Sequence, residues 1–477
     1  MNKTFVLDVI KASLYAARPS ASIAAAIDYD AVSDILSVRG RRFDLTGKKL
    51  YICGFGKCAP EMASGVYGVL GARIAAGLLL SYKPAAIGDR ISILKSSHPL
   101  PDENTLLNSR RLVEFVESLR AGDFLICLVS GGGSSFFEIP APGINFEDLI
   151  ALNKEMLKTK MPIEEINTVR RAVSAVKGGK FLSHIKSFLI TFAISDTGGS
   201  VPADIASGPT VPCVNDNGAA FSILKKNNIA VSSGIISYLK SAQDGGLGNL
   251  RKFADPVGLH DMPGASSNDE ACENLSDSAR RSSKDKIHGH SSDPAHKNSK
   301  NMIYEIISDN ASFIEIAGGL LREKAGAKVY IRPGFMSGEE GGAAHFIDSL
   351  REIKKEYSKD FIFIAGGEIP VAAEKKTGRG GRCQHFALEA MLRLKRDNLY
   401  GFKKITLAAF ATDGLEAFTD AAGAVFDESD IRAASLDEIE LSLRAADSFG
   451  YFEKNGGLII TGATGFNAND AFIAFCF

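Results

Sequence analysis

The chain has 477 residues, 45% of them hydrophobic and 23% charged, with a formal net charge of -1. A chain of that length holds two or three domains with sizeable cores, and its near-neutral charge argues against a nucleic-acid or other polyanionic partner. The seven cysteines (Cys53, Cys58, Cys127, Cys213, Cys272, Cys383 and Cys476) are odd in number and lack C-x-x-C spacing, which argues against structural zinc and a disulfide framework and for a reducing compartment. Asp8, Lys11 and Arg18 interrupt the apolar N-terminus, and no long uncharged span follows. A soluble, cytoplasmic protein without a membrane partner is therefore expected.

In chain order, residues 3–36 read as helical, Lys49–Cys53 as a strand, Pro60–Leu70 as a helix and Gly77–Ser81 as a strand. A proline-stiffened loop covers Ser97–Asp102, and Leu106, Leu107, Leu112, Phe115, Val116 and Leu119 predict a helix by their spacing. The run Phe124-Leu-Ile-Cys-Leu-Val129 has the continuous apolar character of a buried parallel strand. Helices over Phe146–Lys158 and Ile163–Lys177 precede a strand at Phe188–Ile194. Residues 243–300 are rich in Ser, Asp, Asn, Gly, Lys and His, and read as a poorly ordered insert. Beyond it, helices are predicted near 311–324, 343–357 and 384–394, and strands at 328–332, 361–365, 405–410 and 458–460, with a short helix at the end. This alternation predicts α/β architecture with mostly parallel sheets.

Six strand endings combine glycine with a polar residue, near Lys57, Ser130, Asp196, Glu368, Asp413 and Thr461. One such loop is ordinary turn chemistry. Ligands of open α/β sheets bind beyond the carboxyl ends of strands, so three in each half predict two sheets presenting polar loops to a shared cleft. Gly54-x-Gly56-x-x-Ala59 resembles a dinucleotide fingerprint. However, Lys57 stands where a pyrophosphate would sit, and the next strand ends in Ser81 instead of an acid for the ribose. A lysine there suits a phosphate as a point charge.

No P-loop is present, because Gly179-Lys180 is followed by Phe181. Arg379 and Arg382 lie in a glycine-rich loop before a helix, where planar guanidinium groups bind phosphate and helix N-terminal amides would assist. Asp196, Glu368 and Asp413 suit Mg²⁺ ligation, proton acceptance or helix capping, and the residues alone do not choose between these. His98, between Ser97 and Pro99, reads as a loop hydrogen-bonder and not as a general base.

Taken in order, these loops resemble the class II glycerate kinases, whose C-terminal half is the MOFRL domain. The matching runs include Gly54-Phe-Gly-Lys57-Cys-Ala-Pro-Glu-Met62, His98-Pro-Leu-Pro-Asp-Glu-Asn104, Ser130-Gly-Gly-Gly-Ser-Ser135 and Glu165-Ile-Asn-Thr-Val-Arg170. They continue with Val176-Lys-Gly-Gly-Lys180, Gly338-Glu339, Gly366-Gly-Glu368, Gly380-Gly-Arg382, Thr412-Asp-Gly414 and Thr461-Gly-Ala-Thr-Gly-Phe-Asn467. The resemblance implies a Rossmann-like α/β/α N-terminal domain, drawn here as 1–242, and a smaller α/β MOFRL-type domain, drawn as 301–477. It implies transfer of the γ-phosphoryl group of ATP, with Mg²⁺, to D-glycerate, giving 2-phosphoglycerate. A homodimer is compatible with it.

On this reading Lys57, Arg382 and Asp413 are catalytic. Ser130, Gly131, Gly132, Gly133, Ser134, Asn167, Arg170 and Lys177 hold substrate or phosphate. Gly54, Gly56, Gly380, Gly381, Thr461 and Asn467 contact nucleotide, and Asp196 and Glu368 hold the metal. The chain departs from the family pattern at Ser200, Cys383, His385, Glu416 and Ala417. Two alternatives stay open: a nicotinamide-dependent hydroxypyruvate reductase, and a ligand-binding paralogue without catalysis.

Overall fold

The computed structural model describes residues 2–82, 85–159, 161–196, 201–213, 215–244, 301–337, 342–369, 378–417 and 419–477. Ser200, the Gly338-Glu339 run, the start of the Lys376 loop and the 243–300 stretch from 245 onward lie outside the described residues.

The N-terminal region is helical over Lys3–Ala16 and Pro19–Ala26, then turns into a small antiparallel sheet of β1 (Ile27–Asp30), β2 (Ile35–Val38) and β3 (Arg41–Asp44). The expected helix over 3–36 runs too far. The apolar run at Ile23–Ile27 gives way to Ile27-Asp-Tyr-Asp30, whose period of two suits a half-buried strand.

The first large sheet contains β4 (Leu50–Phe55), β5 (Ile74–Ser81), β6 (Ile91–Lys95), β7 (Phe124–Val129), β8 (Phe188–Ile194) and β9 (Met302–Ser308). Its order is β6-β5-β4-β7-β8-β9 and every pairing is parallel. Counted from β4, this is the 3-2-1-4-5-6 order of a doubly wound Rossmann sheet, which reverses direction between β4 and β7. All six residues of β7 are buried, as the uninterrupted apolar run requires. The sixth strand, β9, comes from beyond the 243–300 stretch.

The second sheet contains β10 (Lys328–Ser337), β11 (Phe361–Glu368), β12 (Ile405–Ala411), β13 (Gly423–Asp427), β14 (Leu458–Ile459) and β15 (Asp470–Cys476), in the order β10-β11-β15-β12-β13-β14. Only β10 and β11 pair in parallel; the other pairings are antiparallel. The expectation of mostly parallel sheets therefore holds for the first sheet and fails for the second. The expected terminal helix is also corrected. Ala471-Phe-Ile-Ala-Phe-Cys476 is wholly buried in β15, a central strand, and a short apolar run of this kind does not reveal its period.

One hydrophobic cluster runs through both halves. Val6, Val9 and Ile10 of the first helix belong to it with Phe410, Ile473 and Phe475 of the second sheet and Ile52 and Ile126 of the first. Phe5 meets Phe475 edge-on at 6.0 Å, and Lys3 pairs with Asp430 at 2.7 Å. The start of the chain is thus packed on its C-terminal sheet. No helix among the described residues is long and apolar enough to cross a membrane.

Candidate active site

The loops after β4 and β7 meet at the reversal point of the first sheet. The Lys57 amide donates to the Gly131 carbonyl at 3.0 Å, and the Cys58 amide donates to Ser130 Oγ at 3.0 Å. A side chain at Gly56, whose φ is +126°, would collide with Ser130 Oγ. Glycine is therefore required there for the two loops to approach, whatever else binds. The loop after β8 joins them, because a side chain at Gly131 would strike the Asp196 carboxylate. Gly54 is likewise packed against Leu128, within the sheet.

The second sheet presents its loops the same way. β11 and β12 each run antiparallel to β15, and β14 is two antiparallel steps from β12, so β11, β12 and β14 point in one direction. Glu368, Asp413 and Thr461 consequently share one edge. β15 enters that edge from the opposite direction, with Asp470 level with Gly367 and Ala411. Sequence reading missed Asp470, although an acid opening a run of seven apolar residues is a signal it could have used.

Asp470 is fully buried and holds Arg382, with the guanidinium Nε 3.2 Å from Oδ2. Glu368 pairs with the same guanidinium from the other side. Burial raises the Asp470 carboxyl to about 7 against the pull of Arg382, and the two carboxylates hold Arg382 firmly charged. Burial also raises Asp413, while Arg382 and Lys57 draw it down. Burial raises Asp196, with Lys57 lowering it and Glu368 raising it further. Charges from the two halves of the chain thus act on one another: Lys57 on Asp413, and Glu368 on Asp196. The Cys58 thiol also donates to the Gly465 carbonyl at 3.2 Å, joining the Lys57 loop to the loop after β14.

The remaining predicted residues divide into two groups. Ser134 Oγ lies 2.8 Å from Ser207 Oγ, which donates to Asn167 Oδ1 at 2.9 Å; Asn167 in turn donates to Asp204. Gly132, at φ +79°, faces the His98 ring, and Gly133 packs on Ala206. Arg170 donates to Asn153 Oδ1 at 3.0 Å and acts electrostatically on His98, which burial, Lys57 and Arg170 together lower to about 4. Lys177 stands apart: its ammonium is fully buried and paired with Glu138.

In the second half, Thr461 donates to the Gly462 carbonyl at 2.9 Å, and Asn467 accepts from the Asn469 amide at 2.9 Å. Gly380 packs on Ser448 and Gly381 on Glu416. The Arg382–Arg396 helix has Gly381 at its N-cap, with no side-chain cap of its own. Its Cys383 and Gln384 amides are taken by Glu416, at 2.7 and 3.1 Å. Helix N-terminal amides were expected to assist phosphate binding, and the Glu416 carboxyl group accepts from these two. Burial and Asp470 raise Glu416 to about 8 against these two hydrogen bonds.

The departures at 383 and 385 have separate surroundings. Cys383 is buried in the second core, and His385 pairs with Glu389 at 3.3 Å. Ala417 lies at φ +41°, where a side chain is strained. Replacing it with glycine is expected to stabilise the protein by about 1 kcal/mol, since relief of that strain outweighs the added chain entropy. An unchanged or lower urea midpoint would contradict this.

Among the described residues, no three His, Cys, Asp or Glu side chains are grouped to hold a metal. Mg²⁺ seldom needs such a cage, taking one or two carboxylates with phosphate oxygens and water. Asp196 and Glu368, the carboxylates expected to hold it, act on one another electrostatically, and Glu368 also pairs with Arg382.

Two family models match the chain: a domain of unknown function, DUF4147, over residues 5–240, and the MOFRL family over 361–470. The chain is 30% identical over 455 residues to a glycerate 2-kinase of Pyrococcus horikoshii, covering 92% of this chain and 90% of that protein. It is 31% identical over 435 residues to a D-glycerate 2-kinase of Thermotoga maritima, covering 89% and 90%. A crystal structure of glycerate kinase from Thermotoga maritima superposes with a TM-score of 0.75 at 28% identity, over 100% of this chain and 99% of that one.

Proposed function

The chain belongs to the class II glycerate kinases, the MOFRL family, and from that premise we propose that it transfers the γ-phosphoryl group of ATP to the C2 hydroxyl of D-glycerate. The products are 2-phosphoglycerate and ADP, and the reaction takes place in a cleft between the two sheets. The observation that carries this reading is that Arg382, held between Glu368 and Asp470 in the second half, and Lys57, from the first half, both act electrostatically on Asp413. Phosphoryl transfer asks for positioning and charge neutralisation more than for covalent chemistry.

The glycerate C2 oxygen attacks the γ-phosphorus, the bond to the bridging oxygen breaks, and ADP leaves. The hydroxyl proton passes to the Asp413 carboxylate, which Arg382 and Lys57 help to keep ionised against burial. Lys57 and Arg382 neutralise the transferring group, Arg382 being aimed by Asp470 and Glu368. Asp196 and Glu368 would hold Mg²⁺, which would supply further neutralisation of phosphate charge. The 130–134 loop with Arg170 receives the glycerate carboxylate. The enzyme acts in the cytoplasm on a small-molecule substrate.

The reductase alternative is disfavoured by the end of β5. There Ser81 stands where dinucleotide folds place an acid for the ribose. Incubating the pure protein with Mg-ATP and D-glycerate and identifying the product by phosphorus NMR tests the proposal. Phosphate on carbon 2 supports it, phosphate on carbon 3 corrects the regiochemistry, and no transfer refutes it. NADH oxidation with hydroxypyruvate and no need for ATP would establish the reductase instead.

A further inference from the structure

Three residues beyond Asp413, the chain folds back on the helix that carries Arg382. Glu416 is only 5% exposed. Its Oε1 accepts the Cys383 amide at 2.7 Å and its Oε2 accepts the Gln384 amide at 3.1 Å. A helix leaves its first amides without partners, and Gly381 brings no side chain to satisfy them. Glu416 caps the helix from a different loop. The position of Gly381 explains its identity, since any side chain there would collide with the Glu416 Cβ.

The contact continues on the far side of the loop. The Thr419 amide and hydroxyl both donate to the Glu416 carbonyl at 2.7 Å, the Glu416 amide donates to the Ala421 carbonyl at 3.0 Å, and Gln384 Nε2 donates to Thr419 Oγ1 at 3.3 Å. Glu416 and Thr419 are therefore both fastened to the first turn of the helix through their side chains. Arg382 is the first residue of that helix, and Asp413 lies on the loop that Glu416 belongs to.

We infer that Glu416 is a positioning residue which fixes the Arg382 helix to the Asp413 loop and so sets the separation of the two groups. This rests on the roles proposed for Arg382 and Asp413. Glu416 touches neither directly. It acts through the two amides that follow Arg382, so its loss lets the guanidinium drift from its alignment. Positioning errors of this kind act on turnover more than on binding.

Glu416→Gln keeps the volume but places an amide NH₂ against a backbone N–H, so one of the two bonds is lost. The folded variant is expected to show kcat at least about tenfold lower, with KM for glycerate within about threefold of the wild type. Hydrogen exchange at the Cys383 and Gln384 amides is expected to be slow in the wild type and at least about tenfold faster in the variant. That second readout does not depend on the reaction. If the wild-type protein fails to phosphorylate glycerate, the functional reading falls, while exchange still tests the latch. Wild-type kcat in a folded Glu416→Gln protein overturns the inference, as does unchanged exchange at both amides. If Glu416→Gln does not fold, Glu416→Asp carries the same two measurements, with the same results supporting or overturning the inference.

Discussion

Replacing Lys57 with alanine is expected to lower kcat roughly a hundredfold or more, the loss typical of one electrostatic stabiliser in an active site. The substitution leaves the fold intact. The Lys57 side chain is exposed, and what anchors the loop is its backbone amide on the Gly131 carbonyl, which alanine keeps. The ammonium lowers both Asp196 and Asp413 from positions on different sheets, so its charge is felt across the site. Removing it has a second consequence with a definite sign. A neighbouring cation favours an ionised carboxylate, so without Lys57 the Asp413 carboxyl rises further above its ordinary range. If Asp413 accepts the hydroxyl proton, the acid limb of the kcat/KM profile moves to higher pH in Lys57→Ala. Turnover within about threefold of the wild type in a folded variant would remove Lys57 from the mechanism.

The loops at the ends of β4, β7, β8, β11 and β12 were legible because each follows an apolar strand and combines glycine with a polar side chain. Strand direction follows from alternation with helices in the first half, where every crossover is parallel. It does not follow in the second half, where β15 comes last in the chain and inserts between β11 and β12. Asp470 was missed for that reason: an acid opening an apolar run marks it as a candidate, but its place at the site depends on the antiparallel entry of β15 between β11 and β12. The glycines were legible as glycines, but not for their cause. Gly56 makes room for Ser130 and Gly381 for Glu416, so both serve protein packing ahead of any ligand. Residues paired over long separations were the least legible of all. The resemblance implies a substrate or phosphate role for Lys177, and its partner Glu138 lies 39 residues away.

That pair gives the largest expected stability effect. Lys177 is 0% exposed and Glu138 1%, with Ser174 Oγ donating to Glu138 Oε1 at 2.6 Å and Lys177 reaching the Phe137 carbonyl at 3.4 Å. Burial lowers the Lys177 pKa, while Glu138 opposes that shift. Lys177→Ala strands the Glu138 carboxylate, and breaking a buried pair in this way costs about 3–5 kcal/mol. The lower end is expected, because Ser174 still donates and Arg170 still acts electrostatically with Glu138. Lys177→Met fills most of the cavity, so the difference between the two variants separates lost packing from lost charge. The double variant Glu138→Gln with Lys177→Met removes both charges and is expected to recover much of the loss, since no uncompensated buried charge is left. Urea midpoints of the three proteins check the sequence of effects. A lysine that held substrate would behave differently, raising KM for glycerate with little change in midpoint. A stable Lys177→Met protein with a raised KM would return Lys177 to the binding site.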